Sequence, residues 1–223
     1  AGPAAGPARL APVYVVLDAS PAAARCLREL TGALRSLQTT LVRAPDVAGA
    51  VRLAALTYAE SADLLLPLAP VTWETNVPEP RPGPAARLAP AFERLLELLP
   101  ADTERLKRES RVARPTVFLV TAGTPEDDAH WPALRRRLAE HPYHPHLVAC
   151  GIGGTDPAVV GRLASRPGLG FVARPGHDAA TSAVQFSVLL QQAVLSLARS
   201  AQAGAGELRL LCPEGLMPVE SLT

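Results

Sequence analysis

The chain has 223 residues, enough for one large α/β domain, and 48% of them are hydrophobic while only 4% are aromatic. Its 22 basic and 21 acidic residues give a net charge of +1. Such a balance creates no long-range field for nucleic acid or for an anionic membrane, so neither is expected as a partner.

The first third of the chain alternates between strand-like and helix-like patterns. Residues 1–12 form a Pro/Gly/Ala segment without periodicity, for which we expect a flexible leader and no signal peptide. The apolar run over residues 13–17 is typical of a strand that is buried on both faces. Ser20 is a candidate N-cap and Pro21 a candidate first residue of a helix that extends to about residue 41.

Two apolar runs then follow, at residues 53–58 and 62–68, joined by only three residues. This short link predicts a hairpin with one antiparallel strand, and Pro67 places that strand at an edge of the sheet. After a proline-rich loop, residues 85–99 show the apolar spacing of a helix, and the charged residues 103–111 are expected to continue it.

The second half of the chain continues the alternation. Strands are predicted at residues 116–121, 146–150 and 170–173, helices at 128–140, 157–164 and 179–200, and an added edge strand at 207–212. The order predicts an α/β, doubly wound, mostly parallel central sheet with one antiparallel edge strand and helices on both faces. This domain would cover residues 13–203, followed by a C-terminal extension over 204–223.

Three loops come at the carboxyl ends of the predicted strands, where open sheets of this kind bind ligands: residues 18–22, 83–86 and 121–128. The sequence around them resembles the von Willebrand factor A (vWA) domain. VYVVLDASPAA is similar to the DxSxS motif of that family, PGPAARLAPAFERLLELL to GGTxLGxALxxL, and VFLVTAGTPEDD to VFLxTDGxPxDD. LVACGIGGTDPAVVGRLA and the helix that follows resemble later segments of the cytoplasmic bacterial branch associated with tellurium resistance and conflict systems. The match covers residues 12–200.

The resemblance implies the metal-ion-dependent adhesion site (MIDAS) of the family, which uses side-chain oxygens from five positions. Asp18 and Ser20 keep an oxygen, whereas Ala22, Ala86 and Ala122 present methyl groups. Mg²⁺ requires six hard oxygen ligands, so we expect a degenerate site that holds no metal and no cofactor. The resemblance then implies that these loops bind a protein partner, through Asp18, Ser20, Ala22, Ala86, Thr121, Ala122, Glu126 and Asp127.

Two other interpretations of the loops stay open at this point. Asp18 and Ser20 could serve only as the cap of the first helix. Alternatively, Glu126, Asp127 or Asp128 could join Asp18 and Ser20 in a rebuilt metal site.

Other chemistry-bearing residues form weaker patterns. The histidines of HPYHPH (residues 141–146) have a spacing that could hold a transition metal, but the prolines favour an extended backbone on which they need not converge. Residues 151–154 do not fit the dinucleotide motif GxGxxG. Cys150 and His177 could be a nucleophile pair only if the fold brought them together. We therefore expect neither catalysis nor a small-molecule substrate.

The three cysteines, Cys26, Cys150 and Cys212, are too few and too scattered for a disulfide framework, and buried thiols in a reducing cytoplasm are expected. The sequence thus predicts a non-catalytic adaptor or scaffold domain in a bacterial stress-response or defence assembly, which binds protein without a metal bridge. A metal-dependent receptor with a remodelled site and an α/β enzyme of unknown reaction are the alternatives.

Overall fold

The computed structural model describes residues 8–222. Its strands are Ala11–Asp18 (β1), Val51–Tyr58 (β2), Ala62–Ala69 (β3), Thr116–Ala122 (β4), His146–Ile152 (β5), Gly170–Ala173 (β6) and Leu216–Pro218 (β7). Its helices are Leu27–Val42 (α1), Pro45–Ala48 (α2), Ala89–Lys107 (α3), Trp131–Glu140 (α4), Pro157–Leu163 (α5) and Ala179–Gln202 (α6), with short 3₁₀ turns at Ala24–Cys26 and Val219–Leu222.

The seven strands form one sheet in the order β3-β2-β1-β4-β5-β6-β7. Strands β2, β1, β4, β5 and β6 are parallel to one another, while β3 and β7 run antiparallel at the two edges. The predicted mostly parallel sheet and the hairpin of β2 and β3 are confirmed. Pro67 lies in β3, where an edge strand tolerates the missing N–H. The antiparallel strand at the second edge was not part of the expected fold class.

Helices cover both faces of the sheet, which explains the continuous apolar runs of its central strands. In β1, Val13 and Val15 face a core shared with α1 and α6, whereas Tyr14 and Val16 face the core beneath α3, α4 and α5. The helix that follows β1 and the helix that follows β4 therefore lie on opposite faces. This change of face places a crevice at the carboxyl ends of these two neighbouring strands.

Helix α6 has 24 residues and a mean hydropathy of 1.2, so by length and composition alone it could cross a membrane. One side of the helix is part of the core, where Phe186, Leu190 and Leu197 are fully buried. Packing against the sheet and α1 accounts for its apolar composition.

The first helix begins later than predicted. Residues 20–26 form turns in which the Ala23 N–H donates to the Ser20 carbonyl and the Cys26 N–H to that of Ala23. Helix α1 begins only at Leu27, and its N-cap, Cys26, makes no side-chain capping bond. The interpretation of Ser20 as an N-cap, alone or with Asp18, is therefore wrong.

The C-terminal extension contains the edge strand β7 at Leu216–Pro218, whereas residues 207–212 are irregular. Leu208 and Leu210 pack on the core while their neighbours are exposed, so the alternating pattern is real. These two leucines pack on the core without forming a strand, because β7 already pairs with the outer side of β6. Of the predicted flexible leader, residues 1–7 lie outside the described residues and Ala11 already belongs to β1.

Candidate functional site

The three predicted loops lie together at the carboxyl ends of β1 and β4. Backbone hydrogen bonds connect them: the Gly83 N–H donates to the Ala19 carbonyl (2.9 Å), and the Glu126 N–H donates to the Ala86 carbonyl (2.8 Å). A methyl group at Gly83 would lie 2.4 Å from the Ala59 Cβ, so only glycine permits this approach. The predicted crevice is thus formed by closely connected loops.

Asp18 ends β1 at the centre of these loops, with only 1% of its surface exposed. Its Oδ1 accepts the Ser20 N–H at 2.8 Å, and its Oδ2 accepts the Ala122 N–H at 2.7 Å. The Tyr58 hydroxyl lies 3.2 Å from the same Oδ2 and 3.2 Å from the Val120 carbonyl. Both carboxylate oxygens therefore have donors from the protein itself, and they link β1 to β2 and β4.

Burial raises the pKa of the Asp18 carboxyl above 3.8, while the donors from Ser20, Ala122 and Tyr58 act in the opposite direction. Burial also raises the pKa of Tyr58 well above its usual range, and the neighbouring Asp18 adds to this effect. The phenol therefore stays protonated and can act as a hydrogen-bond donor to the carboxylate.

The other positions of the implied metal site offer little to a cation. The Ser20 side chain is fully buried, and its Oγ has no hydrogen-bond partner among residues 8–222. Ala22 is exposed, whereas Ala86 and Ala122 are buried with 7% and 2% exposure. The side-chain oxygens at these five positions are thus those of Asp18, which accept donors from the protein, and the buried Oγ of Ser20.

The acidic residues of the third loop have partners elsewhere. Glu126 Oε1 accepts the Ala86 N–H at 3.2 Å. Asp127 accepts the N–H groups of Leu88 (3.0 Å) and Ala89 (2.6 Å), at the start of α3. This carboxylate explains why α3 begins at Ala89 and not at residue 85, because it satisfies amide groups that a helix start leaves free.

Asp128 points away from the loops and pairs with Arg162 on α5 (2.5 Å). The bond to Arg162 lowers the pKa of this exposed carboxyl. None of the three acids that could have rebuilt a metal site therefore bonds to Ser20 or Asp18 in the described part of the chain.

Two functional positions were missed in the sequence, Tyr58 and Thr155. The Thr155 hydroxyl lies 3.0 Å from the Thr121 carbonyl and 2.6 Å from the Ile152 carbonyl, to one of which it donates its single proton, and it accepts the Gly123 N–H (3.1 Å). Tyr58 stands opposite Asp18 in the parallel register of β1 and β2. The signal for Tyr58 was a polar group at the end of a strand, but it acquires meaning only once the strand pairing is known.

The histidines of residues 141–146 do not converge. His141 Nδ1 accepts the Tyr143 N–H, and His144 Nδ1 lies 2.9 Å from the His141 carbonyl. Within residues 8–222 no three His, Cys, Asp or Glu side chains are grouped as a metal ion would require.

The cysteines are free thiols, and the prediction that all are buried is wrong for Cys212, which is exposed. Cys26 and Cys150 are buried. Burial raises the pKa of Cys150 to about 12, so it stays a thiol and is a poor nucleophile at neutral pH.

An open cavity of about 400 Å³ lies beside the third loop and the start of α3, lined among others by Arg87, Glu93, Glu126, Asp127 and His130. Two of its carboxylates, Glu126 and Asp127, accept the backbone bonds described above. These bonds connect the third loop to the start of α3.

No protein-family model matches the sequence, and no curated protein matches it. Solved structures do match. A von Willebrand factor type A structure from Catenulispora acidiphila has a TM-score of 0.59 at 15% identity, over 84% of this chain and 43% of that one. The ArnB paralogue VWA2 from Sulfolobus acidocaldarius has a TM-score of 0.51 at 15% identity, over 82% and 45%.

Proximal thread matrix protein 1 from the mussel byssus, in a structure with a zinc-occupied MIDAS motif, has a TM-score of 0.54 at 17% identity over 94% of this chain. The chain spans about half the length of these three structures: 43%, 45% and 48%. The seven-stranded sheet with its flanking helices therefore has the fold of a von Willebrand factor A domain.

Proposed function

We propose that this chain is a non-catalytic protein-interaction domain that binds its partner at the loops of residues 18–22, 83–86 and 121–128 without a metal bridge. The hydrogen bonds of the Asp18 carboxylate support this proposal. Its two carboxylate oxygens accept bonds from Ser20, Ala122 and Tyr58, so the protein supplies the positive partners that a cation would otherwise provide.

The donor set does not fit a divalent cation. Mg²⁺ needs six hard oxygen ligands and gives up its water reluctantly. The Ser20 hydroxyl is one ligand, whereas Ala22, Ala86 and Ala122 contribute methyl groups. We therefore interpret the loops as a degenerate MIDAS whose remaining carboxylate has become a structural link between strands.

The internal bonds also favour binding by a preformed surface. Backbone and carboxylate bonds hold the three loops together, so ordering them on binding has little entropic cost. Ala22, Thr124 and Glu126 are exposed at their rim. A partner would meet a rim whose acidic side chains are Glu126 and Asp128, the second of them paired with Arg162.

The cellular setting is part of the same proposal and rests on the sequence resemblance alone. The motifs resemble cytoplasmic bacterial vWA proteins of stress-response and conflict systems, so we propose an adaptor role in an assembly of that kind. The proposed role is non-catalytic, and it is supported by the structural part that Glu126 and Asp127 take as acceptors of backbone N–H groups.

The experiment is affinity capture from the native cell extract by the wild-type chain and by two variants, each in the presence and absence of EDTA. Thr124→Arg adds a bulky charge to the exposed rim. Gln192→Arg adds the same side chain at an exposed position of α6 and serves as the control. We expect a partner that resists EDTA and the control but is lost with Thr124→Arg. Loss on adding EDTA would favour the metal-dependent receptor, and equal capture by both variants would place the interface elsewhere.

A further inference from the structure

A small cavity opens at the amino-terminal ends of strands β4 and β5. The three loops lie at the opposite, carboxyl-terminal ends of the strands. Its volume is about 100 Å³. It lies between the segment that leads into β4, the last turns of α4 and the residues that follow α5, and its polar lining consists of Arg114, Arg135, His144 and Ser165. We call it the basic pocket.

The two lining arginines are held by neutral carbonyl groups. Arg114 donates through Nε to the His144 carbonyl (3.0 Å) and through Nη2 to that of Pro145 (3.2 Å). Arg135 donates in the same way to the carbonyls of Leu163 (2.7 Å) and Ala164 (3.0 Å). A guanidinium has five N–H donors, so each arginine is fixed in place while most of its donors stay unused.

The residues that line the pocket include two arginines and no carboxylate. Arg166, on the turn after α5, acts with burial, the larger cause, to lower the pKa of Arg114. Burial, Arg114, Arg166 and His144 together lower the pKa of His146 to about 4, so His146 is neutral at pH 7. None of Arg114, Arg135 and Arg166 forms an ion pair with any carboxylate of residues 8–222.

Positively charged side chains that lie close together repel one another. An anion bound between the arginines would relieve this repulsion and accept their remaining N–H groups. Guanidinium groups bind phosphate and carboxylate oxygens through pairs of N–H donors. The Ser165 Oγ accepts the Leu147 N–H, which leaves its own proton free to donate. The cavity has room for several water molecules and thus for one tetrahedral group.

We propose that the basic pocket binds a phosphate-sized oxyanion through Arg114, Arg135 and Ser165, either as free inorganic phosphate or as the phosphoryl group of a larger molecule. The site is independent of the loop face and does not rest on the protein-binding proposal. A bound anion would join the start of β4, α4 and the end of α5, and would stabilise the folded chain.

The test is a titration of the full chain with inorganic phosphate, followed by NMR of the imidazole and arginine Nε–H signals and by calorimetry. We expect the chemical shifts of His144, His146 and Arg114 to change as phosphate is added. The signals of His177 should not change, because His177 lies near the carboxyl-terminal ends of the strands. Glycerol phosphate titrated in parallel distinguishes the sources: tighter binding of the ester indicates a larger ligand, and tighter binding of inorganic phosphate indicates the free ion.

Variants locate the site. Arg114→Gln should weaken phosphate binding about tenfold, the effect of one charged hydrogen bond. Arg166→Gln should weaken phosphate binding less than Arg114→Gln does, because Arg166 adds a neighbouring positive charge but does not line the pocket; it is exposed, so its loss leaves the core intact. Arg136→Gln removes the same charge from the exposed face of α4 and should leave the affinity unchanged. Equal affinities for all four proteins, or no shift at His144 and Arg114 with phosphate at about 10 mM, would overturn the proposal.

Discussion

Asp18 is a buried carboxylate that the chain itself satisfies. Its partners are the amide groups of Ser20 and Ala122 and the hydroxyl of Tyr58. Because these donors come from the carboxyl ends of β1, β2 and β4, the residue joins three strands at one point. Burial nevertheless outweighs them and raises its pKa above 3.8, so the charged form is less favoured in the fold than in the unfolded chain.

This raised pKa predicts the pH dependence of stability. The folded protein holds the Asp18 proton more tightly than the unfolded chain, so this contribution is fully present below pH 3.8 and is lost as the pH rises through the folded pKa. Asp18→Asn cannot titrate and should lack that loss. Urea unfolding of both proteins from about pH 4 to about pH 8 measures it. Parallel stability curves would show that Asp18 has an ordinary pKa in the fold.

At the level of single residues, the sequence located the loops but not all their contacts. Asp18, Ser20 and the three alanines could be placed from motif resemblance, because each motif sits on a recognisable strand or helix. Tyr58 and Thr155 could not, since their importance comes from strand register and from a neighbouring loop. The role of Asp127 was equally hidden, because its amide partners are 38 and 39 residues away in sequence.

At the level of elements, boundaries failed where tertiary contacts replaced local signals. Ser20 and Pro21 have the residue types of a helix start, yet α1 begins at Leu27 because the intervening residues form tight turns. Helix α3 has no capping side chain of its own, and Asp127 supplies the acceptor from a distant loop. Local sequence cannot show a cap that is brought by the fold.

The cap on α3 gives a second prediction. Asp127→Ala leaves the Leu88 and Ala89 amides without an acceptor, and should lower the free energy of unfolding by about 1–2 kcal/mol. Asp128→Ala is the matched control, since it removes only an exposed ion pair and should lower the free energy of unfolding much less than Asp127→Ala does. Denaturant unfolding measures both. Equal losses would mean that Asp127 does not cap the helix.

At the level of the whole molecule, the alternation of apolar strands and amphipathic helices was sufficient to predict the mostly parallel sheet. Buried β1, β4 and β5 carry continuous apolar runs, and the crossover helices cover both faces. The three-residue strand β7 is too short to leave a pattern, so it was predicted at the wrong place in the extension. The loops lie at the carboxyl-terminal ends of the parallel strands, and the basic pocket lies at their amino-terminal ends.

We expect the loops to hold no metal ion, because Ala22, Ala86 and Ala122 supply no ligand and Asp18 is bonded within the protein. Calorimetric titration of the full chain with Mg²⁺ and Mn²⁺ tests this expectation most directly. We expect no binding heat at metal concentrations up to about 10 mM, for the wild type and for Asp18→Ala alike. Micromolar binding that Asp18→Ala abolishes would show that Asp18 still holds a metal ion at these loops.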